Sequence, residues 1–187
     1  MTGHSSVAST VVVVVMGVSG AGKTTVGVRL ARELGWPFYE GDEFHPAENV
    51  DKMTRRQALT DDDRRPWLEA LHDLIARLLE SRRPAVLACS ALRRSYRERL
   101  RQGNDGVRFV YLRVDRALAE SRVGRRRGHF MPPDLVDSQF RALEEPAGVL
   151  VLDAARPPEA LVQDVVRELG LEPDAECPAA PATPSLS

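Results

Sequence analysis

Gly17-Val18-Ser19-Gly20-Ala21-Gly22-Lys23-Thr24 spells G-x-x-x-x-G-K-[ST], directly after the largely β-branched run Val11–Met16. No other feature of the 187-residue chain constrains its fold so tightly. A β-branched run without polar alternation is the composition of a parallel strand covered on both faces. Thr24–Leu34 then reads as a helix, with Val26, Leu30 and Leu34 four residues apart. A strand, a glycine-rich loop and a helix in this order aim several backbone N–H groups, and the positive end of the helix, at one anion. Lys23 is placed to reach the β- and γ-phosphates of a nucleoside triphosphate, and the Thr24 hydroxyl to ligate Mg2+. Residues Gly17 to Thr24 are therefore the expected cradle for ATP.

The remainder alternates strand and helix. Strands are predicted at Pro37–Glu40, Ala85–Cys89, Val107–Val114 and Val149–Asp153. Helices are predicted around Ala47–Met53, Pro66–Ser81, Arg93–Arg101, Arg116–Arg127, Asp134–Leu143 and Pro157–Leu169. The class is α/β, with a central five-stranded parallel sheet flanked by helices. One domain is expected over residues 11–171, after a disordered lead at 1–10. A disordered tail is expected at 172–187, where proline, alanine and serine dominate.

Composition removes several function classes. Twenty-six basic residues face 27 acidic ones, a net charge of −1, which argues against a dedicated nucleic-acid binder. Aromatics at 5% leave little for a base-stacking platform. Cys89 and Cys177 lie too far apart for a metal spacing or a disulfide scaffold, which fits a reducing cytoplasm. The apolar run Val11–Val18 is too short to span a bilayer, so no membrane partner is expected.

Signalling GTPases carry D-x-x-G and N-K-x-D, and neither occurs in this chain. The third predicted strand ends Ala88-Cys89-Ser90, without an acidic residue. Acidic residues cluster instead after the second strand, at Glu40, Asp42 and Glu43. Glu40 and Asp42, two apart, would share one face of an extended strand. Carboxylates there suit a small-molecule kinase, where they orient an acceptor hydroxyl and support the metal. Arg122 and Arg126 fall one helical turn apart between the fourth and fifth strands. That placement suggests a mobile lid over about residues 122–140, closing on the nucleotide and excluding water. An exposed basic face is the alternative for the same arginines.

Longer blocks are more specific. Gly41-Asp42-Glu43-Phe44-His45-Pro46, Asn49, Lys52-Met53 and Asp61-Asp62-Asp63-Arg64-Arg65-Pro66-Trp67-Leu68 resemble the gluconokinase pattern G-D-x-x-H-P-x-x-N-x-x-K-M and D-D-D-R-x-P-W-L. Cys89-Ser90-Ala91-Leu92-Arg93-Arg94-Ser95-Tyr96-Arg97 is similar to its C-S-A-L-[KR]-x-x-Y-R segment. Gly128-His129-Phe130-Met131 and Ser138-Gln139-Phe140 resemble its lid and post-lid segments. The likeness covers about residues 11–170. One stretch departs from it: Arg56-Gln57-Ala58-Leu59 stands where the family usually has G-x-P-L.

The resemblance implies ATP-dependent phosphorylation of D-gluconate at its terminal hydroxyl, and a homodimer. By matching position, Lys52, Arg64 and Arg93 are the cations for the gluconate carboxylate. Arg64 is equally suited to a helix-start ion pair with Asp61–Asp63. His45 would bond substrate hydroxyls or cap the helix at Ala47. Lys23, Arg126 and Mg2+ would meet the γ-phosphate, and Thr24 and Glu40 would hold the metal. Arg122 would lie against adenine or phosphates, and Asp42 would orient the attacking hydroxyl. Cys89 reads as a buried small apolar residue. The rival readings are a related shikimate or nucleotide kinase, or a nucleotide-binding RNA-associated protein.

Overall fold

A computed structural model of the chain describes residues 10–55, 57–125 and 133–173. Residues 1–9 of the expected lead at 1–10 and most of the expected tail, from 174, lie outside the described residues, as do Arg56, Arg126 and Gly128–Met131.

Five strands form one sheet: β1 (Val12–Met16), β2 (Phe38–Glu40), β3 (Ala85–Ala88), β4 (Val107–Arg113) and β5 (Leu150–Asp153). Their spatial order is β2-β3-β1-β4-β5, and every pairing is parallel. The helices are α1 (Lys23–Leu34), α2 (Ala47–Thr54), α3 (Asp61–Glu80), α4 (Arg94–Arg101), α5 (Arg116–Gly124), α6 (Pro133–Ala142) and α7 (Pro158–Leu169). Strand order reverses at β1, so the carboxyl end of β1 faces the crevice where open α/β sheets bind ligands.

The unalternating valines of β1 have a simple cause. Val13 and Val15 join a core with Val26, Leu30 and Leu34 of α1 and Leu161 and Val165 of α7. Val12, Val14 and Met16 join a second core with Trp67, Leu71 and Ile75 of α3 and Leu100 of α4. Side chains alternate across a strand, and here both faces are covered. All five β1 residues have no exposed surface.

Helix α5 ends at Gly124, three residues before the expected Arg127, while the strands and the remaining helices, α3 aside, begin and end within a residue or two of the sequence expectation. The start of α3 does not. It begins at Asp61, five residues before Pro66, which therefore lies inside the helix and not in its first turn. The cause is a capping box. The Asp63 N–H donates to Thr60 Oγ1 at 3.2 Å, and Asp63 Oδ2 accepts from the Thr60 N–H at 2.9 Å. Two otherwise orphaned donors are thereby satisfied. Asp61, Asp62 and Asp63 fall in the first turn, where negative charge meets the positive helix end.

The acidic segment also differs from expectation. β2 stops at Glu40, and Gly41–Phe44 forms a 3₁₀ turn. Glu40 and Asp42 therefore do not share a strand face. Gly41 packs so closely on the end of β3 that a Cβ there would lie 2.5 Å from the Ala88 carbonyl oxygen. Its own carbonyl accepts from Trp67 Nε1 at 2.7 Å, which ties the turn to α3.

Gly41→Ala tests that close approach. The clash is with backbone, so the turn itself must move. We expect a loss of about 1–3 kcal/mol, the usual cost of overpacking. At this size that lowers Tm by roughly 2–4 °C per kcal/mol. Thermal unfolding that matches the unsubstituted protein would contradict it.

Candidate active site

The loop after β1 has the curl that its glycines predict. Gly20 sits at φ +84°, and a Cβ there would lie 2.5 Å from the Ala119 carbonyl oxygen of α5. Only glycine fits at such a position. The loop delivers the chain into α1 through Gly22, whose φ of 94° is also left-handed. Lys23 folds back across the loop, its Nζ donating to the Val18 carbonyl at 3.2 Å. Gly17 N–H reaches the Ser90 carbonyl beyond β3 at 3.4 Å.

Thr24 and Glu40 come together. The Thr24 hydroxyl donates to Glu40 Oε2 at 2.7 Å, linking the start of α1 to the end of β2. Burial pushes the Glu40 carboxyl up from its ordinary range. Thr24 pulls it back, Asp42 raises it, Lys23 lowers it and Glu43 raises it. Asp42 is exposed beside this pair, on the 3₁₀ turn. Among the described residues no cluster of three or more His, Cys, Asp or Glu side chains could hold a metal ion. A hydroxyl and a carboxylate in contact are nevertheless the hard oxygen donors that Mg2+ takes when phosphate oxygens supply the rest.

His45 neither caps α2 nor stands free. The N-cap of α2 is Pro46, which makes no side-chain cap. The His45 ring stacks on Trp67, with centroids 4.5 Å apart and planes at 10°. Its Nδ1 lies 3.3 Å from Asn49 Nδ2. Burial draws its pKa below the ordinary value more than Asp42 raises it. Burial thus favours the neutral form of the imidazole. Asn49, buried at 3% exposure, donates to the Asp63 carbonyl at 2.7 Å.

The three matched cations are not equivalent. Lys52 Nζ donates to Asp63 Oδ1 at 2.6 Å and so completes the α3 capping box from outside. Arg64 and Arg93 converge on one spot. Arg93 Nη1 pairs with Asp61 Oδ2, and Arg64 Nη1 lies 3.9 Å from Asp61 Oδ1. Their guanidinium carbons stand 6.0 and 5.9 Å from the centre of the Tyr96 ring. Tyr96 itself donates to Asp61 Oδ1 at 2.5 Å. Arg64 thus makes its helix-start pair and still stands beside Arg93.

Arg122 Nη2 donates to the Ala154 carbonyl at 2.8 Å, and its Nη1 reaches the Gly20 carbonyl at 3.4 Å. It lines a cavity of about 290 Å³ with Gly20, Gly22, Ala154, Arg156 and Pro158. Arg126, its expected partner, lies outside the described residues. Cys89 is buried, which pushes its thiol up to about 12. It packs as a small apolar side chain in the core beneath β1 and α3.

Two contacts escaped sequence reasoning. The Trp67 bond to Gly41 joins residues 26 apart, and no periodicity signals it. Gln139 Oε1, from α6, accepts from the Ser19 N–H of the phosphate loop at 2.6 Å. The Ser-Gln-Phe resemblance flagged that residue without giving it a partner.

The chain is similar to known proteins over most of its length. The family model described as an AAA domain matches residues 12–146. A gluconokinase of Gluconobacter oxydans (strain 621H) is 44% identical over 162 residues, 85% of this chain and 91% of the relative. The thermoresistant gluconokinase of Escherichia coli (strain K12) is 40% identical over 157 residues, 82% of this chain and 90% of the relative. A crystal structure of a gluconokinase from Sinorhizobium meliloti 1021 superposes with a TM-score of 0.78 at 43% identity, over 87% of this chain and 93% of that one. A shikimate kinase from Bacteroides thetaiotaomicron, at 21% identity and a TM-score of 0.63 over 86% of this chain and 99% of that one, shares the fold alone.

The Lys52–Asp63 pair carries a pH signature. Lys52, then the Thr60 backbone N–H and side chain, hold the Asp63 carboxyl at about 2, below its ordinary 3.8. A depressed folded pKa stabilises above the unfolded value, and that stability is lost as pH falls through the folded one. Asp63→Asn should therefore lower Tm by a constant amount above about pH 5, with the gap narrowing from about pH 4 downward. A gap that holds its size down to about pH 3 would remove the carboxylate from this role.

Proposed function

Since the chain belongs to the gluconokinase family, we propose that it transfers the γ-phosphoryl group of ATP to the 6-hydroxyl of D-gluconate, giving 6-phospho-D-gluconate and ADP. The observation that carries this reading is the Thr24–Glu40 contact, because it sets the acidic turn with Asp42 against the mouth of the phosphate loop.

The nucleotide's triphosphate lies against the loop from Gly17 to Thr24, on N–H groups the fold does not already use, with the α1 dipole behind it. Its adenine occupies the cavity walled by Arg122 and Pro158. A guanidinium plane suits the face of a base. Lys23 and Arg126 neutralise charge on the transferring group. Thr24, with Glu40 behind it, would hold Mg2+, which when bound would supply charge neutralisation to the phosphates.

The sugar acid lies between Asp42 and the arginines. Arg64 and Arg93 take its carboxylate by exchanging Asp61 for the ligand, since a planar fork matches a carboxylate. Lys52 is held by Asp63 and borders the site, and His45, whose Nδ1 meets Asn49, offers Nε2 to hydroxyls. Asp42 orients the 6-hydroxyl. As the new O–P bond forms, the hydroxyl proton passes to Asp42, and the bond to the β-phosphate breaks with its electron pair leaving on ADP. The transition state is loose, so placement and charge account for most of the rate.

ADP release measured with gluconate, shikimate and nucleoside monophosphates tests the substrate. Turnover with gluconate alone is expected, and turnover only with another acceptor would replace the reading. Lys23→Ala should fold normally and lose about 3–4 kcal/mol of transition-state stabilisation, on the scale of other electrostatic contacts to developing charge. Circular dichroism and kcat together check this. Asp42→Asn should lower kcat by roughly 10²–10⁴ and leave the ATP KM unchanged. A collapse of ATP affinity at constant kcat would make Asp42 a metal residue instead.

A further inference from the structure

Beyond β3 lies a buried arginine that the proposed reaction does not use. Arg97, in α4, is 9% exposed. Its Nη1 donates to the Ala91 and Leu92 carbonyls, both at 2.9 Å, and its Nη2 to the Glu144 carbonyl at 2.9 Å. Ala91 has a φ of +42° and no exposed surface. A Cβ disfavours that left-handed backbone, and here no glycine relieves it. Glu144 grips the same turn from the far side. Its N–H donates to the Leu92 carbonyl at 3.0 Å, and its Oε2 accepts from the Arg94 N–H at 2.6 Å. Two residues from outside the turn thus fix carbonyls and amides from Ala91 to Arg94.

The turn is placed to matter. At its start the Ser90 carbonyl meets Gly17 of the phosphate loop, and it ends at Arg93 on the Asp61–Tyr96 cluster. We propose that Arg97 and Glu144 are positioning residues: they hold Ala91 in its strained conformation so that the Arg93 guanidinium stands at the carboxylate end of the acceptor site. This rests on the reading of Arg93 as a partner of the sugar-acid carboxylate. A planar guanidinium can serve three carbonyls on two sides, while a single ammonium nitrogen cannot span them. Without the clamp Ala91 relaxes toward negative φ, and the residues after it swing. Glycine at position 91 would keep the left-handed turn unaided.

Arg97→Lys should raise the gluconate KM about tenfold and leave the ATP KM within about twofold, the split expected when one substrate's placement alone is lost. Adding Ala91→Gly to that variant should restore most of the gluconate KM. Glu144→Ala removes an exposed side chain and should fold even where Arg97→Lys does not, raising the gluconate KM about threefold. Arg93→Ala, which removes the contact itself, should raise the gluconate KM with no recovery from Ala91→Gly. The proposal is overturned if Arg97→Lys leaves the gluconate KM unchanged, if it moves both KM values together without rescue, or if Arg93→Ala has no effect on gluconate. Amide exchange at Arg94 needs no substrate and should quicken in Glu144→Ala. Failure of the unsubstituted protein to use gluconate would then reject the substrate while Arg94 exchange still judged the brace, unchanged exchange counting against it.

Discussion

Backbone N–H groups can hold a triphosphate only if they point at one place before it arrives. That demand falls on β1. A loop as rich in glycine as Gly17–Gly22 has no stiffness of its own, so its geometry is borrowed from what precedes and follows it. β1 supplies this by being buried on both faces, between α1 and α7 on one side and α3 and α4 on the other. Gly20 then lets the loop touch α5, and Gly22 turns the chain into α1. Interior packing is dense and barely compressible, so the loop inherits a fixed frame.

The acceptor side depends on a second anchor, the first two turns of α3. Asp63 closes the capping box and takes Lys52, and Asp61 takes Arg64, Arg93 and Tyr96. One turn on, Trp67 stacks on His45 and donates to Gly41. The 3₁₀ turn with Asp42 is thereby hung between β3 and α3. The phosphate-loop side and the acidic side meet through Thr24 with Glu40 and through Gly17 with Ser90. On the proposed reading these joints set the separation of groups that phosphoryl transfer needs in line and close.

Much of the fold was legible because its signals are local. The β1 valines, the G-x-x-x-x-G-K-T loop and the apolar stripe of α3 each declare themselves within a few residues. The start of α3 was missed because three aspartates and a proline look like loop. A capping box reverses that reading only when Thr60 and Asp63 are seen to bond reciprocally. The acidic cluster after β2 was singled out by residue type and position, but the strand-face argument that paired Glu40 with Asp42 failed at a 3₁₀ turn. His45 and Lys52 were named through resemblance, and Trp67 and Asp63, which they meet, lie 22 and 11 positions away, whereas the Arg64–Asp61 pair is local and was legible. Contacts such as Gln139 with Ser19 span 120 residues and leave no periodic trace.

The central claim is that the two anchors hold a nucleotide phosphate and the terminal hydroxyl of a sugar acid in one site. Nuclear magnetic resonance of the product made from ATP and carbon-13-labelled gluconate tests it most directly. The account predicts a single phosphate ester, with phosphorus coupling at C6 and its neighbour C5. Phosphate on any other carbon, or hydrolysis of ATP with gluconate left unmodified, would contradict it.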